Sequence, residues 1–137
     1  MLRASCHFEE TKIQIDYQLL YKLQNYMGVV LYTETKGCKV NEKVERRLIH
    51  TNNLLTAIVD FSGGPANVPD PYHNHPHEQT SYIAEGEIMF FMENEAPVHL
   101  KAGDLVSVPS GINHAIQLLT PTARLIDNFN PIREDFL

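Results

Sequence analysis

The stretch YHNHPHEQ, residues 72–79, contains three of the chain's seven histidines within five positions. In an extended conformation alternate side chains share a face, and here every odd-numbered position carries a nitrogen or oxygen ligand. These positions are His73, His75, His77 and Gln79. The row is too long for one ion on a straight strand, so either some members are excluded or the strand bends. The pattern predicts a metal site.

A fourth histidine, His114, is predicted to complete this site from a neighbouring strand. It follows the turn-rich sequence GDLVSVPSGIN, residues 103–113, and opens another apolar run. An antiparallel pairing is the simplest way to bring it to the same ion. The other three histidines, His7, His50 and His99, lack such spacing, and we interpret them as ordinary surface or core residues.

From Gly28 onward the chain has the pattern of short β-strands. Apolar or alternating runs of about four to eight residues are separated by Gly, Pro, Asn and Asp, which is typical of strands joined by turns. The runs cover residues 29–33, 44–49, 54–61, 79–84, 87–93, 96–100, 104–109, 114–119 and 123–129. Because no helical segment separates them, they predict an all-β antiparallel sandwich or barrel.

The first 27 residues differ from this pattern and predict one short α-helix. In IDYQLLYKLQNYM, residues 15–27, the apolar side chains recur at helical spacing, and Gly28 follows as a C-terminal stop. The polar face carries only Lys22 as a cation, so we expect the helix to pack on its own domain or on a second subunit rather than on a membrane. The chain therefore divides into an N-terminal extension, residues 1–27, and a β-barrel domain, residues 28–137.

Composition and charge limit the classes of partner that we expect. The 137 residues carry a formal net charge of −6, and residues 69–137 hold 3 Lys and Arg against 10 Asp and Glu. Without a basic cluster, nucleic acid and anionic membranes are not expected partners. No segment approaches the roughly 20 apolar residues that a membrane span requires. The two cysteines, Cys6 and Cys38, form neither a disulfide framework nor a zinc knuckle, so we expect a reducing compartment and a cytoplasmic protein.

Two motifs in register resemble those of the cupin superfamily. Residues 73–86 read His-x-His-x3-Gln-x6-Gly, and residues 103–114 read Gly-x5-Pro-x-Gly-x2-His. The resemblance implies a double-stranded β-helix, or jelly-roll, barrel whose mouth holds one divalent metal ion. By position in the family pattern, the ligands are His73, His75, Gln79 and His114, with His77 as a reserve ligand if the strand bends differently.

Gln79 departs from the commonest cupin pattern, which has Glu at this position. Its amide oxygen can still bind a metal, whereas strand alternation turns the neighbouring Glu78 to the other face. Three neutral imidazoles and a neutral amide leave the charge of the ion uncompensated, which favours an anionic substrate and Lewis-acid activation of one of its oxygens. Zn, Ni, Fe, Mn and Cu all accept such ligands, so the sequence does not select the metal.

The C-terminal sequence LIDNFNPIREDFL, residues 125–137, adds three candidate catalytic residues. Asp127 and Phe129 share a strand face and Arg133 follows, which offers an acid/base group, a packing wall and a carboxylate clamp. With HPHEQ and the spacing to His114, this tail resembles the pectin-degradation cupins, which convert 4,5-unsaturated monouronates to linear 5-keto-4-deoxyuronate. The resemblance covers about residues 40–137 and implies catalytic roles for Asp127, Phe129 and Arg133.

The sequence thus predicts a metal-dependent, isomerase-type enzyme that acts on a small anionic sugar. Two alternatives stay open: a metal-dependent cupin dioxygenase and a non-catalytic sugar-binding cupin. Against the dioxygenase, the ligand set lacks the carboxylate of the two-His facial triad. Small cupins commonly form dimers, so the resemblance also implies a homodimer.

Overall fold

The computed structural model describes residues 28–137. The helix predicted over residues 15–27, and the N-terminal extension that contains it, lie outside the described residues. The division of the chain at residue 28 therefore stays a prediction.

Short β-strands account for half of the described region, and all of their pairings are antiparallel. The strands are β1 (Cys38–Asn41), β2 (Val44–His50), β3 (Leu55–Ser62), β4 (Glu78–Glu85), β5 (Glu87–Met92), β6 (Val98–Lys101), β7 (Leu105–Val108), β8 (His114–Leu118) and β9 (Thr122–Asn130). A single turn of 3-10 helix follows at Glu134–Phe136.

The strands form two sheets that enclose an apolar core. One sheet has the strand order β1-β2-β3-β9-β4-β7, and the other has the order β6-β5-β8. Side chains from both sheets, among them Ile83, Ile88, Phe90 and Leu125, meet in one buried cluster. This two-sheet arrangement confirms the predicted all-β jelly-roll class.

One predicted strand, residues 29–33, is wrong. The Leu31 carbonyl accepts two backbone hydrogen bonds from residues just after it, which makes this segment a turn. The Tyr32 ring lies between the guanidinium groups of Arg47 and Arg124, each 4.4 Å from the ring centroid. These long-range contacts fix the segment against the sheet, and a local apolar pattern does not contain them.

The inner face of the six-stranded sheet carries both the apolar core and a polar group of residues. In β9 every second side chain is buried, so Asp127 and Phe129 continue the row that includes Leu125. The register places Asp127 opposite Ser81 and Phe129 opposite Gln79 on β4. Because directly paired residues have neighbouring side chains, this register brings the candidate residues of two distant segments together.

Gly86 lets the chain pass from β4 to β5, and so from one sheet to the other. Its φ is +78°, a region that L side chains rarely adopt. A Cβ at this position would also collide with the carbonyl oxygen of Thr122. Both effects require glycine at this place in the first motif.

Cys38 corrects the interpretation of the cysteines. This residue is buried at the start of β1 and is disulfide-bonded rather than a free thiol. The prediction of reduced cysteines is wrong for Cys38, so cysteine usage no longer supports a reducing compartment. Within residues 28–137, no helix has the length and apolar character needed to cross a membrane.

Candidate metal centre

The histidine-rich segment reaches the site by bending away from a straight strand. β4 begins only at Glu78, so residues 73–77 are not a continuation of it. His73 forms an isolated antiparallel bridge with His114, with backbone N–H to O distances of 3.0 and 2.9 Å. The backbone N–H of Gly111 also donates to the His75 carbonyl at 2.9 Å. The predicted antiparallel pairing of His114 with the histidine segment is therefore confirmed.

Three histidines converge. Ligand atoms of His73, His75 and His114 all lie within 4.8 Å of one another, a grouping that could hold a metal ion. The His73 and His114 ring centroids are 4.3 Å apart, and those of His75 and His114 are 5.0 Å apart. His77 is not part of this group, although its ring centroid lies 5.7 Å from that of His75. The predicted reserve ligand therefore lies next to the three-histidine cluster rather than in it.

Backbone carbonyls orient two of the imidazoles. Nδ1 of His75 lies 2.9 Å from the His77 carbonyl, and Nδ1 of His114 lies 2.9 Å from the Ile112 carbonyl. A carbonyl oxygen can only accept, so each Nδ1 carries the hydrogen and each Nε2 keeps a lone pair for a metal. Burial lowers the pKa of His75, and it lowers the pKa of His114 to about 4. Both rings are therefore neutral at neutral pH.

Gln79 places its amide oxygen beside the three-histidine cluster. Its Oε1 lies 3.0 Å from Nε2 of His75, and its Nε2 donates to Oγ of Ser81 at 2.9 Å. Because Nε2 of His75 carries no hydrogen, the short contact joins two lone pairs, an arrangement that a cation between them would stabilise. Three imidazole nitrogens and one amide oxygen are a donor set that fits a divalent ion.

Asp127 is joined to this donor set by hydrogen bonds. Its Oδ1 accepts a hydrogen bond from Oγ of Ser81 at 2.6 Å, which links it to Gln79. The side chain is buried, and burial raises the pKa of Asp127 to about 6. Hydrogen bonds from Ser81 and Gln79 and the charge of Arg133 partly offset that rise.

Phe129, near the end of β9, and Arg133, in the tail that follows β9, lie at the same end of the barrel. The Phe129 ring lies edge-on to His75, with centroids 5.7 Å apart, and only 2% of the residue is exposed. The guanidinium carbon of Arg133 lies 5.2 Å from the Phe129 ring centroid. Asp135 accepts from Nε and Nη2 of Arg133 at 3.1 and 2.6 Å. Burial alone would raise the pKa of Asp135, but this ion pair outweighs burial and lowers it.

A cavity of about 470 Å³ lies beside the tail. Its volume is within the range of small-molecule sites, and Asp135, which is paired with Arg133, contributes to its wall. The lining residues are Asn52, His77, Pro131, Ile132, Glu134 and Asp135.

Sequence reasoning missed three residues around this site. Ser81 and Asp135 gave no local signal, since each acts through a partner that only the fold or the tail conformation defines. Arg46 is 5% exposed, and its guanidinium carbon lies 3.5 Å from the Phe136 ring centroid. Strand alternation in VERRLI could have identified it, because Arg46 shares the inner face with Leu48.

A jelly roll with histidine ligands at one end defines a cupin, and a family model described as a cupin domain matches residues 63–126. The chain is 31% identical over 106 residues to the pectin degradation protein KdgF of Dickeya dadantii, an alignment that covers 76% of this chain and 93% of that protein. The chain therefore belongs to the cupin family that includes KdgF.

Two further relatives bear on the fold and the site. The structure of KdgF from Halomonas sp. matches with a TM-score of 0.70 and 28% identity, covering 78% of this chain and 97% of that chain. The dimethylsulfoniopropionate lyase DddQ of Ruegeria pomeroyi is 45% identical over 51 residues, which is 37% of this chain and 25% of that protein. The first match spans most of the barrel, and the second is confined to a segment of it.

Proposed function

We propose that this chain converts 4,5-unsaturated monouronate to linear 5-keto-4-deoxyuronate at a divalent metal ion. The observation that carries the proposal is that Arg133 and the cluster residue His75 flank the same ring, because the Phe129 centroid lies 5.2 Å from the guanidinium carbon and 5.7 Å from the His75 centroid. Burial is the largest cause of the lowered pKa of His75, and the positive charge of Arg133 is the second. A fixed cation next to neutral ligands suits a small carboxylate substrate. Similarity to KdgF, a pectin degradation protein, supports the same class of substrate.

The proposed reaction is an isomerisation that needs one proton to move. Loss of the C1 hydroxyl proton opens the ring: the bond between C1 and the ring oxygen breaks, C1 becomes an aldehyde, and the ring oxygen becomes an enolate oxygen at C5. The enolate becomes a ketone when that proton is delivered to C4, so no other reactant is consumed. A divalent ion held by His73, His75, Gln79 and His114 would supply Lewis-acid polarisation of a substrate oxygen.

The protein groups divide this work. Asp127 is proposed to accept the hydroxyl proton and return it at C4, because the hydrogen bonds of Ser81 join this carboxylate to the proposed ligand Gln79. Arg133 is proposed to pair with the substrate carboxylate. Phe129, which the sequence suggested as a surface for the sugar, lies against His75 and is almost fully buried. Its contribution in this arrangement is to hold that imidazole in place.

Arg133→Ala should raise KM for the uronate roughly 10- to 100-fold and change kcat much less. Asp135 uses Nε and Nη2 of Arg133, so Nη1 and the second hydrogen of Nη2 are available to a substrate carboxylate. Hydrogen bonds to charged groups contribute about 1.5–3 kcal/mol each, which corresponds to that loss of affinity. Steady-state kinetics of the parent and the variant measure it.

The methyl ester of the same uronate is the control for Arg133. It lacks the negative charge, so the parent should bind it more weakly than the acid, and Arg133→Ala should abolish this preference. An unchanged ratio between acid and ester in the variant would contradict the carboxylate clamp.

The direct test of the proposed function is the decay of the 4,5-unsaturated chromophore of the uronate. We expect metal-loaded protein to accelerate the decay, chelator-treated protein to be inactive, and added divalent metal to restore the rate. A chelator-insensitive rate, or none with any metal tested, would contradict the proposal. Oxygen consumption in the same reaction would instead favour the dioxygenase, and binding without turnover would favour a sugar-binding cupin.

DddQ provides a second candidate substrate for the same assay. The 45% identity over 51 residues favours testing dimethylsulfoniopropionate, which is also a small carboxylate. Release of dimethyl sulfide by the metal-loaded protein, without decay of the uronate, would favour a lyase. A homodimer, which the resemblance to small cupins implies, completes the proposal. A cytoplasmic location stays a prediction that the disulfide-bonded Cys38 does not support.

A further inference from the structure

A buried serine connects the candidate ligand Gln79 to Asp127. Oγ of Ser81 accepts from Nε2 of Gln79 at 2.9 Å and donates to Oδ1 of Asp127 at 2.6 Å. Ser81 is 2% exposed, so water does not compete for these bonds. A hydroxyl has only one hydrogen, and here Asp127 receives it. Ser81 can therefore offer Gln79 nothing but a lone pair.

This polarity decides which end of the Gln79 amide faces the histidines. With its NH₂ group on Ser81, the amide turns Oε1 to Nε2 of His75 at 3.0 Å. The opposite orientation would donate an N–H to the lone pair of His75 and remove two ligand atoms from a metal. It would also set Oε1 of Gln79 against Oγ of Ser81, whose hydrogen is already donated to Asp127. The bond between Ser81 and Asp127 thus opposes the orientation that cannot bind metal.

We propose that Ser81, with Asp127 as its acceptor, is a positioning residue that fixes the amide oxygen of Gln79 toward the metal. The inference rests on the metal site of the proposed function and is independent of the substrate. It also gives a reason for glutamine at a position where glutamate is commoner. A glutamate at position 79 would face the hydroxyl of Ser81, which already donates its only hydrogen to Asp127 and could not donate to a second carboxylate.

Ser81→Ala is the first test, with Co²⁺ affinity and the visible absorption of bound Co²⁺ as readouts. Removing an outer partner of a metal ligand typically costs 10- to 100-fold in metal affinity. We expect at least a tenfold weaker Co²⁺ affinity in Ser81→Ala and a changed Co²⁺ spectrum. Ser107→Ala is the matched control, because Ser107 lies exposed on the neighbouring strand β7, and its Co²⁺ affinity should equal that of the parent.

The second test reverses the chain of hydrogen bonds. In the parent, Asp127→Asn should weaken Co²⁺ affinity several-fold, since an asparagine can donate to Ser81 as well as accept and no longer fixes the amide. In the Gln79→Glu background, the same Asp127→Asn change should strengthen Co²⁺ affinity. An asparagine at position 127 can then donate to Ser81, which donates in turn to the glutamate.

The sign of the Asp127→Asn effect in the two backgrounds separates the explanations. Opposite signs support the inference, whereas the same loss in both backgrounds indicates only the removal of a negative charge and overturns it. Normal Co²⁺ affinity in a folded Ser81→Ala protein, checked by circular dichroism, also overturns it. If the parent binds Co²⁺ and the variants bind it with the affinity of the parent, the inference about Ser81 fails and the proposed metal site stands. If the parent does not bind Co²⁺, the metal site of the proposed function fails as well.

Discussion

His73→Ala should lose its metal and, with it, turnover of the unsaturated uronate. His73 contributes one ligand atom to the cluster with His75 and His114, and its side chain is exposed, so the change leaves the apolar core intact. Outer partners of a metal ligand are worth 10- to 100-fold in affinity, and a direct ligand should be worth at least about 100-fold. Metal content after gel filtration and the rate of decay of the uronate measure the two losses.

Two other histidines control for this result. His99 is paired with Glu87 on the surface, so His99→Ala should keep both metal and turnover. His77→Ala should keep the metal, because His77 is outside the cluster, although it lines the neighbouring cavity. Metal loss in His77→Ala with retention in His73→Ala would show that the reserve ligand is the true one and would refute the ligand set.

Asp127→Asn should lower kcat about 100-fold or more at saturating metal, with little change in KM. General acid–base groups contribute typically 10²- to 10⁴-fold to a rate, and an asparagine keeps the shape and a hydrogen bond to Ser81 while losing the ability to take up the proton. Steady-state kinetics with the metal content of each sample measured alongside provide the test.

The kinetics of Asp127→Asn must be measured at saturating metal, because Asp127 is linked to Gln79 through Ser81 and its loss can also weaken metal binding. If turnover per bound metal in Asp127→Asn equals that of the parent, Asp127 acts through the ligand and carries no proton. Ser81→Ala is the matched comparison, since it removes the hydroxyl between Gln79 and Asp127 and leaves the carboxylate in place.

The histidine cluster could be predicted from sequence because alternate residues of an extended chain lie on one face. His73 and His75 are two positions apart, and the turn before His114 made an antiparallel pairing the simplest arrangement. The bend after His75 could not be predicted from the local sequence, because it depends on contacts with residues much further along the chain. Backbone bonds to residues 111–114 decide it.

The residues that support the site were harder to predict. Ser81 is an ordinary strand serine until the register of β4 and β9 places it opposite Asp127. Asp135 is two residues from Arg133, but its ion pair depends on the conformation of the tail. The mistaken strand at residues 29–33 has the same origin, because Tyr32 is held by two arginines from distant strands.

The two halves of the site rest on different kinds of support. The metal ligands and Asp127 lie on or beside paired strands, whereas Arg133 lies beyond β9 and is held by Asp135 and by the ring of Phe136. A change in the tail can therefore alter which anion is captured without disturbing the ion. Such a division would let a lineage exchange substrates while it keeps the metal-binding cluster, which makes residues 131–137 the part of this site most open to divergence.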